Sequence, residues 1–127
     1  MTITTIDVLI IEDDKNIRDL YADALKTSGL SVETAEDGNQ GIEKALELHP
    51  KVILVDIMMP DMNGHETINK IRQDDWGKTA RVIYLTNLSE PENVFKAFEL
   101  KTEEYIVKSH AEIKDIINHI RTAMHQD

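Results

Sequence analysis

Acidic side chains directly follow two of the most apolar segments of this sequence. Glu12 and Asp13 come after residues 8–11, and Asp56 comes after residues 52–55. Each acid alone would be explained as the cap of a following helix, but three carboxylates that converge repel one another unless a cation joins them. Oxygen atoms are the ligands that Mg²⁺ prefers, and bound Mg²⁺ leaves coordination positions for water or a phosphate oxygen. The pattern therefore predicts a magnesium site that acts on phosphate.

Two residues at similar positions extend this chemistry. Thr86 follows the apolar residues 82–85, and Lys108 follows residues 104–107. A lysine ammonium is a compact positive charge that can hold a phosphoryl oxygen. The charges of Mg²⁺ and Lys108 together balance those of the three carboxylates. Asp56 is then the predicted nucleophile that accepts a phosphoryl group.

The elements that position these residues are predicted from the apolar pattern. Three short β-branched runs bounded by polar residues predict buried parallel strands: residues 8–11, 52–55 and 82–85. Two runs that mix polar and apolar residues predict strands near the edges of the sheet: residues 31–35 and 104–107. Segments with helical spacing alternate with these strands, which predicts an α/β fold with helices on both faces of a parallel sheet.

Signals at the helix ends refine this prediction. Asp14 is predicted to cap the first helix, and Gly29 follows its end. Residues 109–112 resemble a capping box, which predicts an early start of the last helix. In open parallel sheets the ligand site lies at the carboxyl ends of the strands, where the acidic residues stand.

Composition narrows the class of protein. The 127 residues fall within the size of one domain, and the net charge of −10 would repel a phosphate backbone, so no direct contact with nucleic acid is expected. No apolar run approaches the roughly 20 residues that span a bilayer, so no membrane contact is expected. Cysteine is absent, which fits a cytoplasmic location. The five histidines lack ligand spacing and are expected in solvent.

The same residues resemble those of the receiver domains of bacterial response regulators, over residues 8 to 124. Glu12 and Asp13 resemble the metal-binding acidic pair of that family. Residues 56–64, with their proline and glycine, resemble its phosphoacceptor segment. Three further residues match the order and spacing of the family's switch threonine, switch aromatic residue and lysine: Thr86, Tyr105 and Lys108.

The resemblance implies a fold and a metal site. It implies a flavodoxin-like (βα)5 fold, a doubly wound five-stranded parallel sheet of strand order 2-1-3-4-5. It implies that residues 1–127 form a single receiver domain with no output domain. Asp13 and Asp56 would ligate Mg²⁺ directly, Glu12 partly through water, and Met58 through its backbone carbonyl.

The resemblance also implies a phosphorylation-dependent switch rather than an enzyme that turns over external substrates. A sensor histidine kinase or a histidine phosphotransfer protein would supply the phosphoryl group. Thr86 would be drawn to that group, Lys108 would anchor it, and Tyr105 would change position. The surface of the fourth helix, fifth strand and fifth helix would then engage a downstream protein. The chain would be a monomer or a weak, phosphorylation-dependent dimer.

Three residues are predicted by family analogy to set the lifetime of the phosphorylated state. Met58 and Leu88 flank the approach of water to the phosphorus, and their apolar side chains cannot orient that water. Asn87 adds bulk near the same opening, although its polar side chain could instead position the water. Slow loss of the phosphoryl group is the predicted outcome.

Two other classes of protein compete with this interpretation. One is an interaction module that keeps the fold but signals without phosphorylation. Asn87 and residues 101–102 raise this possibility, because the family usually has smaller residues at these positions. The complete set of acids, threonine and lysine argues against it. The other is a phosphohydrolase of the haloacid dehalogenase type. Those enzymes carry a second Asp two residues after the nucleophile, where this chain has Met58.

Overall fold

Five parallel strands form the sheet of this protein. The computed structural model describes residues 5–86, 104–107 and 112–125, and in the second range it describes only the side chain of Ile106. The strands are β1 (Val8–Ile11), β2 (Val32–Ala35), β3 (Val52–Asp56), β4 (Val82–Thr86) and β5 (Glu104–Val107). Their order in the sheet is β2-β1-β3-β4-β5, and every neighbouring pair is parallel. The predicted fold class and strand order are confirmed.

Helices cover both faces of this sheet. They are α1 (Lys15–Thr27), α2 (Gly38–Leu48), α3 (Gly64–Ile71), a short 3-10 helix (Gly77–Thr79) and the last helix (Ile113–Met124). The predicted fourth helix, within residues 94–98, lies outside the described residues. Across the described ranges, no helix has both the length and the apolar character to cross a membrane.

The last helix begins later than predicted. Glu112 is its N-cap, and the Asp115 carboxylate accepts a hydrogen bond from the Glu112 N–H at 3.0 Å. The prediction that residues 109–112 form the capping box was therefore wrong, because the acid that closes the box stands three residues further on.

Two apolar layers fix the helices on the sheet. Successive side chains of a strand point to opposite faces, so Val8 and Ile10 pack with α1 and the last helix, while Leu9 and Ile11 pack with α2 and α3. All four side chains are fully buried. At Gly41 of α2 a Cβ atom would lie 2.5 Å from Ile11 Cδ1, so this glycine lets α2 approach β1 closely. α2 thus packs closely on β1 near the end of that strand.

At the edge of the sheet where the strands begin, two contacts tie the connections together. The Arg72 guanidinium donates hydrogen bonds to the carbonyl oxygens of Gly77 at 2.8 Å and Ala80 at 2.7 Å. The rings of His49 and Trp76 stack with centroids 4.5 Å apart and planes 7° apart. The Arg72 hydrogen bonds join the end of α3 to the loop that precedes β4, and the stacked rings join the end of α2 to the same loop.

Candidate acidic metal and phosphoacceptor site

Glu12, Asp13 and Asp56 meet where β1 and β3 end. Ile11 pairs with Val55 in the register of these strands, so the acids that follow them emerge side by side. One carboxylate oxygen from each of the three acids lies within 4.8 Å of the others. Glu12 is 2% exposed and Asp56 is 5% exposed, whereas Asp13 is exposed. The cluster is therefore closed at its base and open to solvent on the Asp13 side.

Asp14 has the separate role that the sequence predicts. Its Oδ1 accepts a hydrogen bond from the Ile17 N–H at 3.0 Å, which caps α1. The Asp14 N–H in turn donates to Glu12 Oε1 at 3.3 Å. The turn between β1 and α1 is thus built from hydrogen bonds that involve both Glu12 and the cap.

Arg18 is a residue of this site that the sequence analysis missed. Its Nη1 donates a hydrogen bond to the Glu12 carbonyl oxygen at 2.8 Å and lies 3.4 Å from the Asp13 carbonyl oxygen. The signal that could have found it is its spacing. Arg18 stands in the second turn of a helix that begins directly after the acids, so its long side chain can reach back to their backbone.

The loop after Asp56 brings α3 close to the site. A Cβ atom at Gly64 would lie 2.5 Å from the Asp56 carbonyl oxygen, and the Gly64 N–H donates to the Ile57 carbonyl at 2.9 Å. Only a glycine permits this approach. Met58 lies in this loop and is 58% exposed. The predicted phosphoacceptor segment therefore folds back tightly on Asp56.

Thr86 lies on the neighbouring strand at the same edge of the sheet. Leu85 pairs with Asp56, and Thr86 is the next residue along β4, where it is fully buried. Tyr105 pairs with Tyr84 through its backbone, which is the part of Tyr105 that the structure describes. Three predicted site residues lie outside the described residues: Asn87, Leu88 and Lys108.

A cavity of about 300 Å³ opens beside the acidic cluster. Asp13, residues 36–39 and residues 59–62 line it. Asp61 in this lining has a φ of 67°, a left-handed conformation that Asp tolerates better than most residues. The cavity is therefore a continuation of the open side of the site.

His65 is a correction to the prediction that the histidines lie in solvent. It is only 7% exposed, and its ring centroid lies 4.7 Å from that of Tyr84. The reason is its place in the first turn of α3, on the face that packs against β4. His49, His119 and His125 are exposed as predicted, and His110 lies outside the described residues.

This arrangement, an acidic cluster at the carboxyl ends of a five-stranded parallel sheet, is that of a receiver domain. The sequence matches the response regulator receiver domain family over residues 8–121, and the chain belongs to that family. Receiver domains are signalling switches that depend on phosphorylation rather than classical enzymes, and they bind Mg²⁺ in an acidic pocket.

Curated relatives include two bacterial regulators. Transcriptional regulatory protein ResD of Bacillus subtilis is 36% identical over 101 residues, which cover 80% of this chain and 41% of ResD. Response regulator ArlR of Staphylococcus aureus is 30% identical over 117 residues, which cover 92% of this chain and 52% of ArlR. The chain spans about half the length of the curated relatives it matches.

Solved structures show the same fold. Chemotaxis protein CheY4 of Vibrio cholerae superposes with a TM-score of 0.86 at 26% identity, covering 94% of this chain and 99% of that one. The receiver domain of a sensor histidine kinase from Pseudomonas aeruginosa has a TM-score of 0.86 at 19% identity, covering 97% of this chain and 100% of that one. That second structure holds a magnesium ion in its active-site cleft.

Proposed function

We propose that Asp56 of this chain accepts a phosphoryl group from a histidine kinase or a histidine phosphotransfer protein. The observation that carries the proposal is the convergence of three carboxylates within 4.8 Å at the open end of the sheet. An Asp56 carboxylate oxygen would attack the phosphorus of a phosphohistidine. The phosphorus–nitrogen bond would break, and the imidazole would leave with a proton.

The donor atoms fit Mg²⁺. Glu12, Asp13 and Asp56 would hold the ion with carboxylate oxygens, and Met58 would add its backbone carbonyl. Hard oxygen donors and an open, exposed side suit a cation that keeps several waters. When bound, Mg²⁺ would neutralise the carboxylates and the incoming phosphoryl oxygens. The burial of Glu12 and Asp56 supports this role, because buried acids in contact need a counter-charge.

The response to phosphorylation would pass through Thr86, Lys108 and Tyr105. Thr86 is buried on the strand next to Asp56, one residue beyond the partner of Asp56 in the register, and this supports a role in which its hydroxyl is drawn toward a phosphoryl group. Lys108 would hold a phosphoryl oxygen, and Tyr105 would change position with Thr86. The surface around β5 and the last helix would then engage a protein partner.

The domain organisation of residues 1–127 and their location in the cell are also predictions. Residues 1–127 are proposed as one receiver domain, with a cytoplasmic location. Their net charge of −10 makes direct contact between these residues and DNA unfavourable, so a protein partner is proposed.

Phosphorylation with acetyl phosphate and Mg²⁺, followed by intact-mass spectrometry, tests this function. Wild-type protein should gain one phosphoryl group, and excess chelator should prevent it. Asp56→Asn should gain none. The control is Asp75→Asn, which makes the same change at a fully exposed acid before the short 3-10 helix, away from the acidic cluster. A stable aspartyl phosphate on the Asp56 variant, or full labelling in chelator, would refute the proposal.

A further inference from the structure

The turn that presents Glu12 and Asp13 is held by a side chain from outside the acidic pair. Arg18 Nη1 lies 2.8 Å from the Glu12 carbonyl oxygen and 3.4 Å from that of Asp13. Both contacts go to the backbone, so they fix the path of the chain on which the two carboxylates are mounted. A charged donor makes such hydrogen bonds stronger than neutral ones.

The need for this contact follows from the exposure of Asp13. Glu12 is almost fully buried, and its N–H donates to the Ala35 carbonyl at 3.1 Å, so the sheet holds it. Asp13 is exposed and lies one residue beyond that hydrogen bond. The direction of an exposed side chain depends on its backbone, and Arg18 contacts that backbone directly.

Arg18 is itself held in place. It lies on α1, whose first turn is capped by Asp14, and the Arg18 N–H donates to the Asp14 carbonyl at 2.9 Å. The cap and the guanidinium therefore close a small ring of hydrogen bonds around the turn. A ligand that is already oriented loses less conformational freedom when a metal binds.

We propose that Arg18 is a positioning residue for the metal site, which orients Asp13 and Glu12 through their backbone. This inference rests on the proposed function, because it assumes that the acidic cluster binds Mg²⁺. Two effects of Arg18 oppose each other. Its positive charge repels Mg²⁺, whereas its hydrogen bonds preorganise the ligands. Removal of Arg18 therefore raises the Mg²⁺ affinity if the charge dominates and lowers it if the hydrogen bonds dominate.

Calorimetric titration of the protein with MgCl₂ measures the Mg²⁺ affinity of each variant. Arg18→Met removes the charge and the donors while keeping an unbranched side chain, and Mg²⁺ affinity should fall on the order of tenfold. Arg18→Lys keeps the repelling charge but has a shorter reach to the two carbonyls, so its affinity should also fall below that of wild type. The matched control is Lys15→Met, which removes an exposed charge from the same helix. In the described part of the chain, Lys15 forms an ion pair with Asp19 at 2.8 Å. The affinity of Lys15→Met should stay within about twofold of wild type, since a charge in solvent is screened.

Binding to Arg18→Met that is as tight as wild type, or tighter, would overturn the inference. An equal loss in Arg18→Met and Lys15→Met would also overturn it, because Lys15 makes no contact with the Glu12 or Asp13 carbonyls in the described residues, so the loss would not depend on the Arg18 hydrogen bonds. Titration of Asp56→Asn separates this result from the proposed function. If wild type shows no binding that depends on Asp56, the proposed metal site fails.

Amide hydrogen exchange without metal tests the positioning itself. Residues 12–14 should exchange faster in Arg18→Met than in wild type, and Lys15→Met should match wild type. Unchanged exchange in Arg18→Met would overturn the inference whatever the metal titration gives.

Discussion

Side chains beside Asp56 should set how long a phosphoryl group persists. Met58 is exposed in the loop that follows Asp56, and a thioether cannot orient an attacking water. We expect slow decay in wild type and decay at least several-fold faster in the double variant Met58→Asn with Leu88→Glu. Timed intact-mass measurements of the phosphorylated protein would provide the rates, with Asn87→Ala as a third sample. Equal decay of wild type and the double variant would contradict the shielding role, and slower decay of Asn87→Ala would mean that Asn87 assists hydrolysis.

Asp7, just before the start of β1, should make the stability of the fold depend on pH. Burial raises the pKa of Asp7, but a hydrogen bond from the Ser31 N–H at 2.9 Å and the Lys51 ammonium at 3.4 Å outweigh it and hold the pKa below its usual 3.8. Because the folded pKa is the lower one, this stabilisation is present above about pH 4 and is lost as the pH falls through the folded value.

Asp7→Asn should therefore lower the free energy of unfolding by about 1 kcal/mol at pH 7. The difference from wild type should shrink below pH 4, as measured by urea denaturation across the pH range. Asp75→Asn is the control, because the Asp75 carboxylate is fully exposed and its loss should change nothing measurable. A difference that grows in acid would reverse the sign of the argument.

Alanine substitutions at two glycines should distinguish an effect on the stability of the fold from an effect on the metal site. A Cβ atom at Gly64 would press on the Asp56 carbonyl oxygen, and one at Gly77 would press on the Ile71 carbonyl oxygen at the other edge of the sheet. Both alanine variants should lose about 1–3 kcal/mol of stability through overpacking. Only Gly64→Ala should also weaken Mg²⁺ binding in calorimetry. Equal binding by the two variants would mean that α3 does not position Asp56.

The elements that the sequence predicted are those with a repeated apolar pattern. The central strands β1 and β3 are buried on both faces, so their sequences are continuous apolar runs that are easily recognised. The strand β2, whose sequence mixes polar and apolar residues, lies at an edge of the sheet as predicted. The three acids came together because parallel strands end at one edge of the sheet.

The features that the sequence did not predict depend on contacts between elements. His65 looks polar in the sequence, and only the packing of α3 on β4 buries it. Arg18 looks like an ordinary exposed helix residue until the turn before α1 places two carbonyls within its reach. The start of the last helix was missed because two overlapping acids, Glu112 and Asp115, both fit a cap.

At the scale of the whole molecule, phosphorylation should alter one side of the sheet. Thr86 lies on β4 and pairs with Val107 of β5, whereas α1 packs on β1 and β2, toward the opposite edge of the sheet. Amide exchange should change mainly between Asn87 and Lys108 when the protein is phosphorylated. Mass-spectrometric exchange of phosphorylated protein and of Asp56→Asn under the same conditions would test this. Changes confined to residues 17–25 would contradict it.

The stacking of Trp76 on His49 determines what fluorescence can report about this protein. Trp76 is the only tryptophan of the sequence, and it lies where the strands begin. The acidic cluster lies about 15 Å away along β3, at about 3.3 Å per residue. Indole emission responds to its immediate surroundings, so the signal of Trp76 will follow unfolding but stay constant when Mg²⁺ binds. An optical probe of the site itself needs a second indole, and Met58→Trp would place one in the loop beside Asp56.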